Sequence, residues 1–304
     1  MNDKNNFTNS SFDDFFGNLK KFRLLIAAVT LLFIIVSLLI SLTLDNHYKS
    51  TALVSVVDNQ SNNLPQISSG ISSLASLAGL DMSSLSGGDK SSLAIATLMS
   101  KSFLERIINE DMFLQNIMAA ENYNLEENII TYNSKIYNVD KNKWVRKVSP
   151  PFTEIPSVQE VYKEFHKNIF SVYEDPKTGY MILNVEHISP IFAKDLLNKI
   201  IDEINLYSRE KELARVDKAI SFLEKEYLNN NASIIDKSIS TLIGSELQNK
   251  MIANISDEYM LEIIDEPFVP EYKSKPNRLL ILLLAFLCGL SISLLYVFIF
   301  KRNE

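Results

Sequence analysis

One cysteine stands in 304 residues, Cys288, and it lies inside an apolar run, so the rest of the chain has no disulfide to brace it. Three histidines, His47, His166 and His187, lie far apart and lack ligand spacing such as H-x-x-x-H. That excludes a local histidine-based metal motif, and each is expected at the surface or in a hairpin. Gly87-Gly88-Asp89-Lys90-Ser91 lacks the G-x-x-x-x-G-K-[ST] spacing of a phosphate loop. Asp265 and Glu266 are adjacent carboxylates, and on extended backbone they point to opposite sides, so they read as solvated charge. No catalytic residue, cofactor site or metal site is expected, and the chain reads as something other than an enzyme. An active site assembled from residues distant in sequence stays open.

Two predominantly apolar stretches lack charge altogether. Leu24–Leu44 has 21 residues with no Gly and no Pro, and Leu279–Phe300 has 22. About 20 apolar residues cross a bilayer as a helix, and lipid requires each backbone polar group to find an internal partner. Two membrane helices are therefore expected, the alternative being two buried helices of a soluble core. The first run is too long for a signal peptide and no small-x-small site follows it, so it reads as an uncleaved anchor. Lys20, Lys21 and Arg23 precede the first run, and Lys301 and Arg302 follow the second. Positive flanks place both tails, 1–23 and 301–304, in the cytoplasm and 45–278 outside. Lys273, Lys275 and Arg278 run against that rule, diluted by Glu262, Asp265, Glu266 and Glu271. The segment 45–278 carries a net charge of −9, which suits neither nucleic acid nor nonspecific binding to anionic lipid.

Within that segment the local signals outline an α+β domain. Ser50–Val57 reads as a strand, and Asn59–Lys90 as a Ser/Gly/Asn/Leu-rich loop with a short helix across Ile71–Leu80. Ser91–Glu110 and Val158–Lys167 read as helices, whereas Asn122–Pro156 carries no clear pattern. Ile169–Glu174 and Tyr180–Glu186 read as a hairpin, turned by Asp175-Pro176-Lys177-Thr178-Gly179. Ser189-Pro190 is a helix start, and no Gly or Pro follows until Gly244. A helix from Pro190 to about Leu228 would be about 58 Å long. Leu213, Val216, Ile220, Leu223 and Tyr227 recur on it at coiled-coil spacing, as a face for a hairpin partner or for neighbouring subunits. After a break at Asn229-Asn230-Asn231, a second helix is expected from Ser233 to about Tyr259, and a strand at Met260–Ile264. The outline is an α/β base with a long protruding helical hairpin over about 190–259.

The segment 267–278 holds Pro267, Pro270 and Pro276, which exclude helix and favour extended backbone. It reads as a stiff strut before the second membrane helix, or as an ordinary linker.

These parts together resemble the Wzz-type polysaccharide co-polymerases, the chain-length determinants. The resemblance rests on Tyr48-Lys49-Ser50-Thr51-Ala52, Leu77-Ala78-Gly79-Leu80, Leu98-Met99-Ser100-Lys101-Ser102-Phe103-Leu104, the Asp175–Gly179 turn and Ser189-Pro190. Its most diagnostic part is Pro267-x-x-Pro270 followed by Lys275-Pro276-x-Arg278. Ser274 departs from the pattern, since many members place Ser directly before Pro. The resemblance implies a two-span protein of a bacterial inner membrane with a periplasmic domain, acting without enzymatic activity. It implies a homo-oligomeric ring of about eight subunits. The implied role is control of O-antigen or lipopolysaccharide chain length with a Wzy-type polymerase, close to lipid-linked polysaccharide and membrane lipids. Pro267, Pro270, Lys275, Pro276 and Arg278 would be the segment that couples to the polymerase. Only four residues follow the second run, so no fused kinase is expected. Two other readings remain: a capsule or exopolysaccharide export component, and a two-span periplasmic sensor or scaffold.

Overall fold

The computed structural model describes residues 22–57, 88–109, 112–229 and 233–302. The expected helix at Ile71–Leu80 and the triple-asparagine break lie outside the described residues, except for Asn229 itself. The chain divides into two units, one of Met1–His47 with Lys273–Glu304 and the other of Tyr48–Tyr272.

The first unit is built on two helices, α1 (Arg23–Thr43) and α8 (Arg278–Arg302), both long and apolar enough to cross a membrane. They pack antiparallel: Thr30 lies beside Gly289, and Ser37 Oγ lies 3.5 Å from the Ile281 carbonyl. A Cβ at Gly289 would come within 3.1 Å of Thr30 Cα, so glycine is what permits the close approach. Thr30 donates to Ile26 O at 2.9 Å, which satisfies its hydroxyl within its own helix. The outward Leu24, Leu32, Leu39, Leu279 and Phe298 are exposed, as side chains facing lipid would be.

The second unit is a sheet covered by helices. Strands β1 (His47–Val56), β6 (Phe170–Glu174), β7 (Met181–His187) and β8 (Leu261–Asp265) run in the order β6-β7-β1-β8, each pair antiparallel. Ser50, Ala52 and Val54 of β1 lie opposite Val185, Leu183 and Met181 of β7, and all six are buried on one face. On the other face Thr51 Oγ1 donates to Asn184 Oδ1 at 2.9 Å. The β6–β7 hairpin forms where expected: Asp175 N donates to Tyr180 O, and Gly179 adopts φ +71°, a conformation glycine takes without strain.

Helices α2 (Gly88–Leu98), α3 (Lys101–Ile108), α4 (Phe113–Ala119) and α5 (Val158–Glu164) supply Leu98, Phe103, Leu104, Ile107, Ile117 and Val161 to the core. The expected single helix over Ser91–Glu110 is two helices. Ser100 has extended backbone and its hydroxyl accepts from Phe103 N, so it starts α3 afresh as an N-cap. Helix α5 ends earlier than expected, continuing as a π turn over Phe165–Ile169. The unpatterned 122–156 region holds two ribbons, β2 (Ala120–Asn124) with β3 (Ile129–Tyr132), and β4 (Tyr137–Asn138) with β5 (Lys143–Trp144). Tyr137 and Trp144 pack edge to face at 5.2 Å and form a small core there.

Helix α6 (Pro190–Asn229) has 40 residues and begins as its sequence signals, with Ser189 Oγ accepting from Phe192 N. Its first turns bury Leu196, Leu197, Ile200, Ile201 and Ile204 against the sheet. Its later turns pack against α7 (Ser233–Ile255), which runs back and ends four residues sooner than expected. The arrangement is antiparallel: Arg209 pairs with Asp257, Arg215 with Glu246 and Asp217 with Lys250.

Candidate functional site

The residues expected to couple the domain to the membrane are divided between the two units. Pro267 and Pro270 are buried within the central unit, and Ser50 Oγ donates to the intervening Phe268 carbonyl at 2.8 Å. This stretch is therefore packed onto β1, held by ring burial and a side-chain hydrogen bond. The backbone bends at Glu271-Tyr272 and becomes a short strand, β9 (Lys273–Lys275).

In the membrane unit, Ser274 Oγ donates to the His47 carbonyl at 3.1 Å. The Lys275–Pro276 peptide bond is cis. Asn277 Oδ1 accepts from Leu280 N at 3.2 Å, which caps the start of α8. Arg278 opens that helix and donates from Nη2 to Asn46 Oδ1 at 3.4 Å, while its Nε is buried without a partner.

The proposed hairpin face is partly covered. Val216 is fully buried, Leu213, Ile220 and Leu223 are half-buried, and Tyr227 is exposed. Ile239 and Ala253 of α7 are buried on the opposite helix, so this row serves mainly the hairpin's own seam. A regular open apolar row lies on α7. Leu247, Met251 and Ile255 lie at i, i+4 and i+8 on α7, 51 %, 58 % and 73 % exposed. Their spacing was legible, but which face of α7 meets α6 was not.

Three polar arrangements escaped sequence reading. Glu203, 2 % exposed on α6, receives Arg106 Nε at 2.5 Å and Lys199 Nζ at 3.3 Å. Arg106 also reaches Glu210 and lies over the Tyr207 ring, and its hydrogen bond to Glu203 raises its pKa. Asn205 binds the backbone of Met260 and Leu261. Arg146 grips Glu160 with two hydrogen bonds of 2.6 and 2.8 Å, and donates to the Thr153 and Glu154 carbonyls. Glu160 also closes the capping box of α5 with Ser157. The Arg146 hydrogen bond, helped by the Ser157 backbone, lowers the Glu160 carboxyl to about 2.

Two of the three histidines are shielded from solvent, one of them, His187, at the end of the expected hairpin's second strand. His187 is buried: its Nδ1 accepts from Ser189 N and its Nε2 faces the Asn116 carbonyl at 3.0 Å, so Nε2 carries the proton. Both ring nitrogens of His166 are buried without a partner among Tyr162, Phe165 and Phe170, and burial lowers its pKa. Asp265 and Glu266 are exposed, as solvated charge would be. Among the described residues no group of three or more His, Cys, Asp or Glu side chains could hold a metal ion. A cavity of about 570 Å³ opens beside Trp144, Lys147, Pro150 and Phe152, a volume typical of small-molecule sites. Glu154 is its only acidic lining residue, and no His, Cys or Ser lines it.

Residues 10–111, about a third of the chain, match the Wzz family model, described as chain length determinant protein. That match supports the Wzz-type resemblance. A solved full-length bacterial polysaccharide co-polymerase is similar over 95 % of this chain and 96 % of its own, at 10 % identity and a TM-score of 0.36. The chaperone protein ClpB of Oceanobacillus iheyensis is 33 % identical over 92 residues, 28 % of this chain. The chain spans only 10 % of that chaperone's length.

Proposed function

We propose that this chain, whose first third carries the chain-length-determinant sequence, regulates the length of a surface polysaccharide without catalysing its synthesis. The family match carries the reading, because it spans the first apolar helix and β1, the elements that join membrane and domain. The finer reading is an inner-membrane protein with both tails cytoplasmic and residues 45–278 periplasmic. It acts as a homo-oligomeric ring beside a Wzy-type polymerase, on O-antigen or a related lipopolysaccharide. The exposed Leu247, Met251 and Ile255 support assembly, since an apolar stripe left open on a long helix is a natural contact for a neighbour.

Pro267, Pro270, Lys275, Pro276 and Arg278 are proposed to transmit the domain's state to the membrane helix. Deleting the gene and resolving the cell's polysaccharide on a gel tests the main reading: the length distribution loses its modal peak and the intact gene restores it. An unchanged distribution would sink it. Pro276→Ala tests the coupling segment better than Pro270→Ala, because Pro270 is buried and its loss also disturbs packing. Pro276→Ala is expected to leave expression and oligomer intact while broadening chain length.

A further inference from the structure

Lys273, Lys275 and Arg278 put three cations at the end of the helix pair that leads into the central unit. Topology alone does not call for them, because positive charge is needed at the other end. The helix register shows what one of them faces. Thr30 meets Gly289 and Ser37 meets Ile281, so one turn further along α1, Ser41 is level with Arg278. Ser41 is 0 % exposed and its Oγ has no hydrogen-bond partner. Arg278 Nε is likewise buried and unpartnered, while its Nη2 is held by Asn46. A buried guanidinium N–H without an acceptor is costly, and bilayer interiors offer little water to relieve it. The first N–H groups of α8 add the positive end of a 25-residue helix, with Asn277 capping only Leu280 N.

We propose that Arg278, Ser41 and the first turn of α8 bind the phosphate of a membrane lipid. One anionic oxygen would accept from both Nε and the Ser41 hydroxyl, and the free helix N–H groups would face the same charge. Arginine suits the role better than lysine, since its planar fork matches a phosphate and is weakly hydrated. The chemistry fits two sources, a bulk glycerophospholipid and a polyprenyl diphosphate. The proposal stands on the two membrane helices and not on the chain-length reading.

The full chain in mild detergent is mixed with farnesyl diphosphate, phosphatidylglycerol or farnesol, and native mass spectrometry reads the lipid retained. A phosphate-bearing probe is expected to stay bound and farnesol to be lost. Arg278→Gln should lower retention about tenfold or more, the loss expected for a charge-assisted hydrogen bond. Ser41→Ala, a small change within a packed helix, should lower it by a smaller factor, and Arg278→Lys should fall between the two. Lys301→Gln with Arg302→Gln, at the opposite end, should leave retention unchanged. Retention of the diphosphate alone identifies a polyprenyl carrier as the source, retention of phosphatidylglycerol alone a bulk phospholipid, and retention of both the shared phosphate site. Equal retention of farnesol, no loss in Arg278→Gln and Ser41→Ala, or equal loss in the opposite-end variant overturns the proposal.

Discussion

The side-chain amide of Asn205 pairs with Leu261 as a neighbouring strand would. Its Oδ1 accepts from Leu261 N at 2.8 Å and its Nδ2 donates to Leu261 O at 2.9 Å, with Met260 N adding a third bond at 2.8 Å. Asn205 is 5 % exposed, on the stretch of α6 that leaves the sheet. The chain departs along α6, returns along α7 and is tied at this amide as it enters β8.

Asn205→Ala would leave buried backbone donors and an acceptor unsatisfied. The expected loss is about 2–4 kcal/mol, from a desolvation cost of about 1–3 kcal/mol per buried group, partly relieved by water. Thermal unfolding of the full chain in detergent measures it. A melting temperature equal to the parent's would show that water replaces the amide at no cost.

Acid should loosen the 143–164 region through Glu160. Its folded carboxyl titrates near 2, below the ordinary unfolded value, so its contribution is fully present above the unfolded pKa. That contribution fades as pH falls from about 4.5 towards 2. After allowance for partial solvent access it amounts to about 1–2 kcal/mol. Glu160→Gln removes the carboxylate at every pH, so the stability difference from the parent should shrink as pH drops. A difference constant between pH 6 and pH 3 contradicts the assignment, and hydrogen exchange of α5 amides is the local readout.

Assembly should depend on the open stripe of α7. Leu247→Gln with Met251→Gln places two amides on an exposed face, where the hairpin's own seam at Val216, Ile239 and Ala253 is untouched. The monomer is expected to fold with stability within about 0.5 kcal/mol of the parent, as exposed substitutions usually do. Native mass measurement should show smaller assemblies. A double variant that keeps the parent's oligomer distribution would move the interface to another surface.

Topology is checked by reporters. A reporter active only in the periplasm should work when fused near Asn142, in the loop between β4 and β5, and fail when fused after Glu304. Activity at both points, or at neither, is incompatible with two spans and cytoplasmic tails.

Several elements were readable because their causes are local. Asp175 to Gly179 holds a proline and a glycine at turn positions, and the hairpin forms there. Ser189-Pro190 starts α6 within one residue of the expectation, and the charge-free runs end within two residues of α1 and α8 as observed. Ser100 shows the limit: apolar spacing runs continuously from Leu93 to Ile107, yet its hydroxyl reached the Phe103 N–H and divided the helix. A capping residue and a mid-helix serine look alike until the backbone before them is known.

The amino-acid sequence by itself determined the two apolar helices, the long uninterrupted α6 and the family resemblance, since periodicity, absence of breakers and short motifs act within a few residues. Tertiary structure decided what touches what across the chain. It buried Pro270, placed Glu203 between Arg106 and Lys199, buried the Ser41 hydroxyl and left Met251 open. Each of these depends on contacts between residues far apart in sequence, whose free energy no local pattern contains.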